Sequence, residues 1–114
     1  MIKGKIILLP FPFDDMSISK LRPAVCLTNP IGLHHHVIVS FISSRTPSDL
    51  LETDLVLDSA HDDFAKTGLR VSSTLRLHRL MTVSTSIFQR ELGMLTPRMQ
   101  KEVENKLKRL FNLK

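Results

Sequence analysis

The stretch STLRLHRLMTV (Ser73–Val83) decides the fold class of this chain. Apolar and polar side chains alternate in it with a period of two, so Leu75 and Leu77 point to one side of a strand and the polar residues between them to the other. The alternation slips by one residue near Arg79, which predicts a bend. A half-buried strand of this length indicates a protein built on a β-sheet.

Four shorter runs upstream also have strand character, and each is bounded by proline, glycine or polar clusters. They are Lys5–Phe11, Arg22–Thr28, His36–Ser43 and Thr53–Leu57. Residues 62–66 predict a single helical turn that Gly68 stops. Several short strands at this spacing, joined by turns, predict a small barrel or a sandwich.

The last segment has helical periodicity instead. Thr96 is a suitable N-cap and Pro97 a suitable first helical residue. Apolar side chains then recur every three or four residues, at Met99, Val103, Leu107 and Leu110. These features predict a helix from about residue 97 to 111 with its apolar stripe packed on the sheet. Packing of that stripe against a second copy of the chain is the alternative.

Composition restricts the class of protein. The 114 residues are 42% apolar and 24% charged, which fits one globular domain over residues 1–114 and argues against a disordered chain. The longest apolar stretch, residues 6–13, contains two prolines and is far shorter than the ~20 residues of a membrane span. We find no export signal, and Cys26 has no second cysteine to pair with, so we expect a cytoplasmic protein.

Charge is distributed unevenly along the chain. Residues 1–65 hold five Lys or Arg against eight Asp or Glu, whereas residues 66–114 hold eleven against three. A basic second half favours a polyanion or an acidic protein as partner. For the basic residues of 97–114 a solvated helix face is the simpler interpretation, but this does not extend to the arginines on the strands before them. Aromatic residues are 5% of the chain and all are Phe, which argues against a broad base-stacking surface.

Arg76 and His78 are well suited to chemistry because they lie two residues apart on the polar side of one strand. A guanidinium binds phosphate through two hydrogen bonds and keeps its charge, while an imidazole can accept or give a proton near neutral pH. These are the two functions that RNA cleavage by the 2′-hydroxyl needs. For these two residues alone, a solvated strand face is the simpler interpretation.

Other candidates are weaker when taken singly. Arg22 opens a strand with small neighbouring side chains, and Ser43 ends the most apolar strand; a rim arginine and a turn-capping hydroxyl are the simpler interpretations. His34 and His36 could share a metal ion, but no further ligands accompany them, so we expect no metal. Cys26 is expected to be a buried packing residue.

The order of several short blocks is more specific than any one of them. The blocks are Gly4–Phe13 (GKIILLPFPF), Arg22–Val25 (RPAV), Phe41–Ser44 (FISS), Gly68-Leu69, Ser73–Leu77 (STLRL) and Leu92–Leu95 (LGML). In this order, and over nearly the whole chain, they resemble the MazF/PemK family of type II toxins.

This resemblance implies a fold, an activity and a set of partners. The fold is mainly β with a C-terminal helix, an SH3-like small barrel of the CcdB/MazF type, and it forms homodimers. The activity is endoribonuclease cleavage of single-stranded RNA, mostly messenger RNA, without metal or other cofactor, leaving 2′,3′-cyclic phosphate and 5′-hydroxyl ends. A cognate antitoxin would block the RNA groove with an extended acidic segment, and the two proteins together would bind DNA.

The resemblance also assigns residues. Arg22 falls on the family's strand-opening arginine, Ser43 on a hydroxyl residue that is usually threonine, and Arg76 on the arginine that PemK-type members use as acid and phosphate clamp. His78 falls where those members carry an aspartate used as base. The candidates for RNA binding are Lys20, Ser44, Arg45 and Thr74, with loops 14–20 and 45–51 as the walls of the groove.

Two departures from the family pattern bear on activity. His78 replaces a carboxylate, and Lys5 replaces the aspartate that usually follows the glycine. They leave two alternatives: a non-catalytic toxin on the same fold that binds a topoisomerase in the manner of CcdB, and a degenerate module that only binds its antitoxin. The combination of Arg22, Ser43 and Arg76 favours the nuclease.

Overall fold

A computed structural model describes residues 1–11 and 20–114. In this part of the chain, six antiparallel strands form one curled sheet in the order β4-β5-β3-β2-β1-β6, a half-barrel that is followed by a single α-helix. The elements are β1 (Lys5–Pro10), β2 (Leu21–Cys26), β3 (His36–Ser43), β4 (Asp54–Leu57), β5 (Ser73–Ser84), β6 (Arg90–Met94) and α1 (Pro97–Leu110), with 3₁₀ turns at Phe64–Thr67 and Thr85–Ile87.

The mainly β fold with a C-terminal helix is confirmed, and all five predicted strands are present. The bounds of β3 are those predicted, and the others differ by one or two residues at their ends. β6 was not predicted as a strand, because its sequence RELGM is short and has no alternation of buried and exposed residues. Its strand conformation comes from antiparallel pairing with β1.

The C-terminal helix also matches its prediction. The Thr96 hydroxyl accepts a hydrogen bond from the Met99 amide at 3.3 Å, as an N-cap does. Met99 and Val103 are buried and join the core on the sheet, so the apolar stripe packs within the chain. No helix within residues 1–11 and 20–114 is both long enough and apolar enough to cross a membrane.

The helix N-terminus is tied to the first 3₁₀ turn. The Thr96 hydroxyl donates to Asp63 Oδ2 at 2.8 Å, and Arg98 Nε donates to the same oxygen at 3.3 Å. These two hydrogen bonds, the one from Thr96 above all, hold the pKa of the Asp63 carboxyl below its usual value. The turn and the helix start are therefore held together by a charge-assisted network at the surface.

Two glycines allow the first 3₁₀ turn to lie directly on β6. A Cβ on Gly93 would overlap the carbonyl oxygen of Lys66, and a Cβ on Gly68 would overlap the carbonyl oxygen of Leu92. Gly68 also has φ +72°, in the left-handed region that glycine favours. Close backbone approach is thus the physical reason for glycine in two of the short sequence blocks.

The two faces of the sheet carry separate cores. One, under the helix, contains Ile6, Val25, Ile42, Leu55, Leu57, Phe64, Leu75, Leu77, Leu95, Met99 and Val103. The other contains Ile7, Leu9, Ala24, Cys26, Val37, Val39 and Val83. Cys26 has 0% exposure, so the prediction that it is a buried packing residue is confirmed, and this burial raises the pKa of its thiol to about 11.

A bulge interrupts the long strand β5 where the bend was predicted. Ser40 pairs with Leu80 and Ile42 with Leu75, so Phe41 alone lies opposite the four residues 76–79 of β5. His78 and Arg79 are both exposed as a result, which breaks the inside-outside alternation. Bulges redirect side chains and are frequent beside functional sites.

Candidate functional site

Three of the predicted site residues line one cleft, which we call the arginine cleft. It has a volume of about 210 Å³ and is lined by Phe11, Arg22, Phe41, Ile42, Ser43, Arg76 and Arg79. The neighbouring strands β2 and β3, with Ala24 paired to Phe41, bring Arg22 and Ser43 to the same cleft. Arg76 and Arg79 come from the bulged segment of β5.

Arg76 is held in place by a buried carboxylate. Asp54 is opposite it in the β4–β5 pairing, and its side chain has 0% exposure. Asp54 Oδ1 accepts from Arg76 Nε at 3.2 Å, and Asp54 Oδ2 lies 3.1 Å from Arg76 Nη2. Asp49 is 4.0 Å from the same Nη2, but its side chain is 78% exposed. Two N–H groups of the guanidinium thus bind Asp54, and the planar fork has a fixed direction.

Arg22 lies against an aromatic pair. Its guanidinium carbon is 5.1 Å from the centre of the Phe11 ring, within cation–π range. Phe11 and Phe41 pack edge to face, with ring centres 4.9 Å apart and an interplanar angle of 83°. These contacts restrict the conformations available to Arg22.

A second cleft adjoins the first, and we call it the aromatic cleft. It has a volume of about 290 Å³ and is lined by Phe11, Phe41, His78, Arg79, Leu80 and Met81. Phe11, Phe41 and Arg79 line both clefts, so the two form one continuous depression. His78, predicted as the base, lines this second cleft, whereas Arg76 lines the first.

The predicted RNA-binding residues fall into two groups. Lys20, Ser44 and Arg45 are exposed near the strand ends, and the Arg45 amide donates to Ser43 Oγ at 3.1 Å. Thr74, in contrast, is buried with 0% exposure, so its side chain does not face solvent, and RNA binding by Thr74 stays a prediction. Polar alternation placed it with Arg76, but residues 73–75 are all buried, so buried and exposed side chains do not alternate at that end of β5. Of the predicted wall 14–20, residues 14–19 lie outside the described residues.

Three features of this site were not predicted as functional. Asp54 begins a strand that is otherwise apolar, and only the β4–β5 register shows that its partner is Arg76. The slip in alternation near Arg79 predicted a bend in the strand, but it did not indicate that Arg79 lines a cleft. The Phe11–Phe41 pair joins residues 30 positions apart, which no local pattern predicts.

The remaining candidates from the sequence are the two histidines considered as metal ligands and Lys5. His34 and His36 are exposed, with ring centres 5.9 Å apart. Over residues 1–11 and 20–114, no three His, Cys, Asp or Glu side chains are grouped as metal ligands would be. Lys5, which departs from the family pattern, forms an ion pair with Glu91 of β6 at 2.7 Å. Lys5 therefore supports the pairing of β1 with an edge strand.

Comparison with known proteins gives a family and several similar folds. The model of the PemK-like, MazF-like toxins of type II toxin–antitoxin systems matches residues 2–111. The structure is similar to the Mycobacterium tuberculosis toxin MazF-mt6, with a TM-score of 0.73, 20% identity and coverage of 96% of this chain and 98% of that one. Comparison with curated protein sequences gives no match.

Two further solved structures have the same fold. One is an endoribonuclease in complex with its cognate antitoxin from a mycobacterial species, with a TM-score of 0.73, 14% identity and coverage of 100% of this chain and 97% of that one. The other is an endoribonuclease from a mycobacterial species, with a TM-score of 0.70, 11% identity and coverage of 99% and 92%.

Proposed function

Since this chain belongs to the PemK-like, MazF-like toxin family of type II toxin–antitoxin systems, we propose that it is an endoribonuclease that cleaves single-stranded RNA in the arginine cleft. The observation that carries the proposal is the convergence of Arg22, Ser43 and Arg76 on one cleft from three different strands. Two guanidinium groups and a hydroxyl supply the positive charge and hydrogen bonds that a phosphodiester requires.

The reaction we propose is attack by a ribose 2′-hydroxyl on the adjacent phosphorus. The O2′–P bond forms and the P–O5′ bond breaks, which leaves a 2′,3′-cyclic phosphate and a 5′-hydroxyl. Arg76, oriented by Asp54, stabilises the extra negative charge on the phosphoryl oxygens, and Arg22, which lines the same cleft, binds the same phosphate. Ser43 Oγ donates a hydrogen bond to a phosphate oxygen.

His78 is our proposal for the general base. An RNA backbone that passes from the arginine cleft into the aromatic cleft brings a ribose toward its imidazole. Neutral imidazole accepts the 2′-hydroxyl proton as the O2′–P bond forms. The leaving 5′-oxygen takes a proton from water, and the His78 imidazolium returns its proton to water afterwards.

We further propose the partners that this family membership favours. A cognate antitoxin would cover the two clefts with an acidic segment, and the positive charge of Arg22, Arg76 and Arg79 suits such a segment. Exposed apolar side chains, among them Leu50, Leu51, Val56 and Val71, suit burial in a homodimer. An RNA substrate and a toxin–antitoxin partner fit a cytoplasmic location.

A cleavage assay with end analysis tests the nuclease proposal. Purified protein is incubated with a long single-stranded RNA in EDTA, and polynucleotide kinase then labels the products without prior phosphatase treatment. We expect fragments that accept label, because their 5′ ends are hydroxyls, and we expect cleavage to persist in EDTA. Arg22→Ala should abolish it, whereas Arg70→Ala, an exposed arginine in the loop before β5, should not.

Two other outcomes of this assay would contradict the proposal. Loss of cleavage in EDTA with rescue by Mg²⁺ would replace the arginine mechanism with a metal-dependent one. Intact RNA under all conditions, combined with inhibition of a topoisomerase, would favour the CcdB-like alternative.

A further inference from the structure

Arg76 lies at the junction of a paired and an unpaired part of β5. Toward β4 it is the last paired residue, opposite Asp54. Toward β3 it is the first of the four residues 76–79 that have no pairing partner of their own, because pairing with β3 stops at Leu75 and resumes at Leu80. Strand pairing with β3 therefore does not fix the backbone of Arg76 as it fixes that of an ordinary strand residue.

A buried side chain of β3 supplies a contact at this point. The Ser40 hydroxyl donates to the carbonyl oxygen of Arg76 at 2.9 Å, and Ser40 has 0% exposure. Because Ser40 has no exposed surface, water does not compete for its hydroxyl. Ser40 is itself fixed by strand pairing on both sides, with Val25 of β2 and with Leu80 of β5. A rigid part of the sheet thus holds the Arg76 carbonyl where the bulge begins.

We propose that Ser40 is a positioning residue for RNA cleavage, which acts by fixing the backbone of Arg76. Its role rests on the proposed nuclease function and adds to it a residue that, among the described residues, lines neither cleft. Asp54 of β4 orients the guanidinium, and Ser40 of β3 holds the main chain of the same residue. The two contacts come from opposite sides of β5, because β4 and β3 are its two neighbours in the sheet.

The length of the arginine side chain explains why Asp54 is not sufficient by itself. A long, flexible side chain can follow a carboxylate over a range of backbone positions, and the N–H groups that are left for phosphate then point in several directions. Groups that stabilise a transition state must be held within about 0.5 Å of their working position, and a misplacement of about 1 Å can cost about 100-fold in rate. Loss of the Ser40 hydroxyl should therefore slow the chemical step more than it weakens RNA binding, to which Arg22 still contributes.

Ser73 offers a matched control in the same strand as Arg76. Its hydroxyl also donates to a backbone carbonyl at 2.9 Å, that of Val71, and Ser73 is also buried, with 3% exposure. Ser40→Ala and Ser73→Ala delete the same group from the same kind of bond, and each should lower the melting temperature by up to about 5–10 °C. Only Ser40→Ala should slow cleavage, by about 10- to 100-fold in single-turnover reactions at saturating RNA and at a temperature at which every variant is folded.

Ser40→Thr separates the hydroxyl from the stability of the fold. It keeps the donor but adds a methyl group to a fully buried position, so it should be no more stable than wild type and yet cleave nearly as fast. This result would assign the rate loss in Ser40→Ala to the missing hydrogen bond.

Nuclear magnetic resonance tests the positioning without RNA. The ¹⁵N relaxation of the Arg76 Nε–H group, assigned by its absence in Arg76→Lys, gives an order parameter for the side chain. We expect about 0.85 in wild type and in Ser73→Ala, as in a rigid backbone, and a value below about 0.6 in Ser40→Ala.

The two measurements distinguish failure of this role from failure of the nuclease proposal. Equal cleavage by Ser40→Ala and Ser73→Ala, with a rigid Nε–H in both, would overturn the role of Ser40 and leave the nuclease intact. A rate loss that Ser40→Thr does not restore would overturn it too, because the hydroxyl would not be the group that matters. If wild type cuts no RNA, the nuclease proposal fails; rigidity lost only in Ser40→Ala would still show that Ser40 positions Arg76, and rigidity kept would refute that as well.

Discussion

Replacing Arg76 should lower both RNA cleavage and the stability of the fold, and the structure shows how the two effects can be separated. Arg76→Ala removes the proposed phosphate clamp, but it also removes the partner of Asp54, whose carboxylate is fully buried. In Arg76→Ala, the Asp54 carboxylate keeps one of its described hydrogen bonds, which Oδ2 accepts from the Leu51 amide at 2.9 Å. Breaking a buried ion pair by removing one partner costs about 3–5 kcal/mol.

The second substitution is Asp54→Asn in the Arg76→Ala background. A neutral amide removes the buried charge, and its oxygen can still accept from the Leu51 amide. The double variant then lacks the two hydrogen bonds to the guanidinium and its ion pair with the exposed Asp49, which contributes little. We expect it to be about 1–2 kcal/mol less stable than wild type. It should therefore be about 2 kcal/mol more stable than Arg76→Ala alone.

The assay is urea unfolding followed by RNA cleavage at a temperature at which every variant is folded. Unfolding midpoints and slopes give the free energies of unfolding. We expect the double variant to recover stability but not cleavage, and Arg76→Lys to cleave slowly, since lysine keeps the charge without the planar fork. Near-wild-type cleavage by the double variant would show that Arg76 acts only through Asp54 and the fold. An unchanged stability in Arg76→Ala would contradict the buried pair itself.

Four further predictions follow from particular residues. His78→Ala should lose most of the cleavage rate but keep RNA binding, because the proposed base is removed while Arg22 and Arg76 remain; cleavage by His78→Ala as fast as by wild type would exclude His78 as base. Cys26 should resist iodoacetamide at pH 8 in the native state and react after denaturation, because burial raises the pKa of its thiol to about 11; rapid native alkylation would contradict this burial. Gly93→Ala should destabilise by about 1–3 kcal/mol in a thermal or urea melt, because its Cβ overlaps the Lys66 carbonyl, and a neutral effect would place the 3₁₀ turn elsewhere. Light scattering should give the mass of a dimer at micromolar concentration, against 13.0 kDa for the single chain.

Local sequence was sufficient for most of the secondary structure. The alternation in β5, the apolar run of β3 and the cap and periodicity of α1 each depend on neighbouring residues, so they could be read without a fold. The order of short blocks indicated the family and, with it, three of the cleft residues. β6 was missed because a five-residue edge strand without alternation is defined by its partner and not by its own pattern.

The arrangement of the site depended on tertiary structure. Whether Thr74 is exposed, which carboxylate holds Arg76, and whether His78 shares a cleft with it are set by strand register and by the bulge in β5. A shift of a few residues between β3 and β5 moves these side chains between clefts, yet it leaves the alternation within each strand almost unchanged. The sequence by itself therefore determined the elements and the residue types available for chemistry. Pairing between distant strands decided which of those residues meet, because cross-strand contacts are fixed by long-range packing.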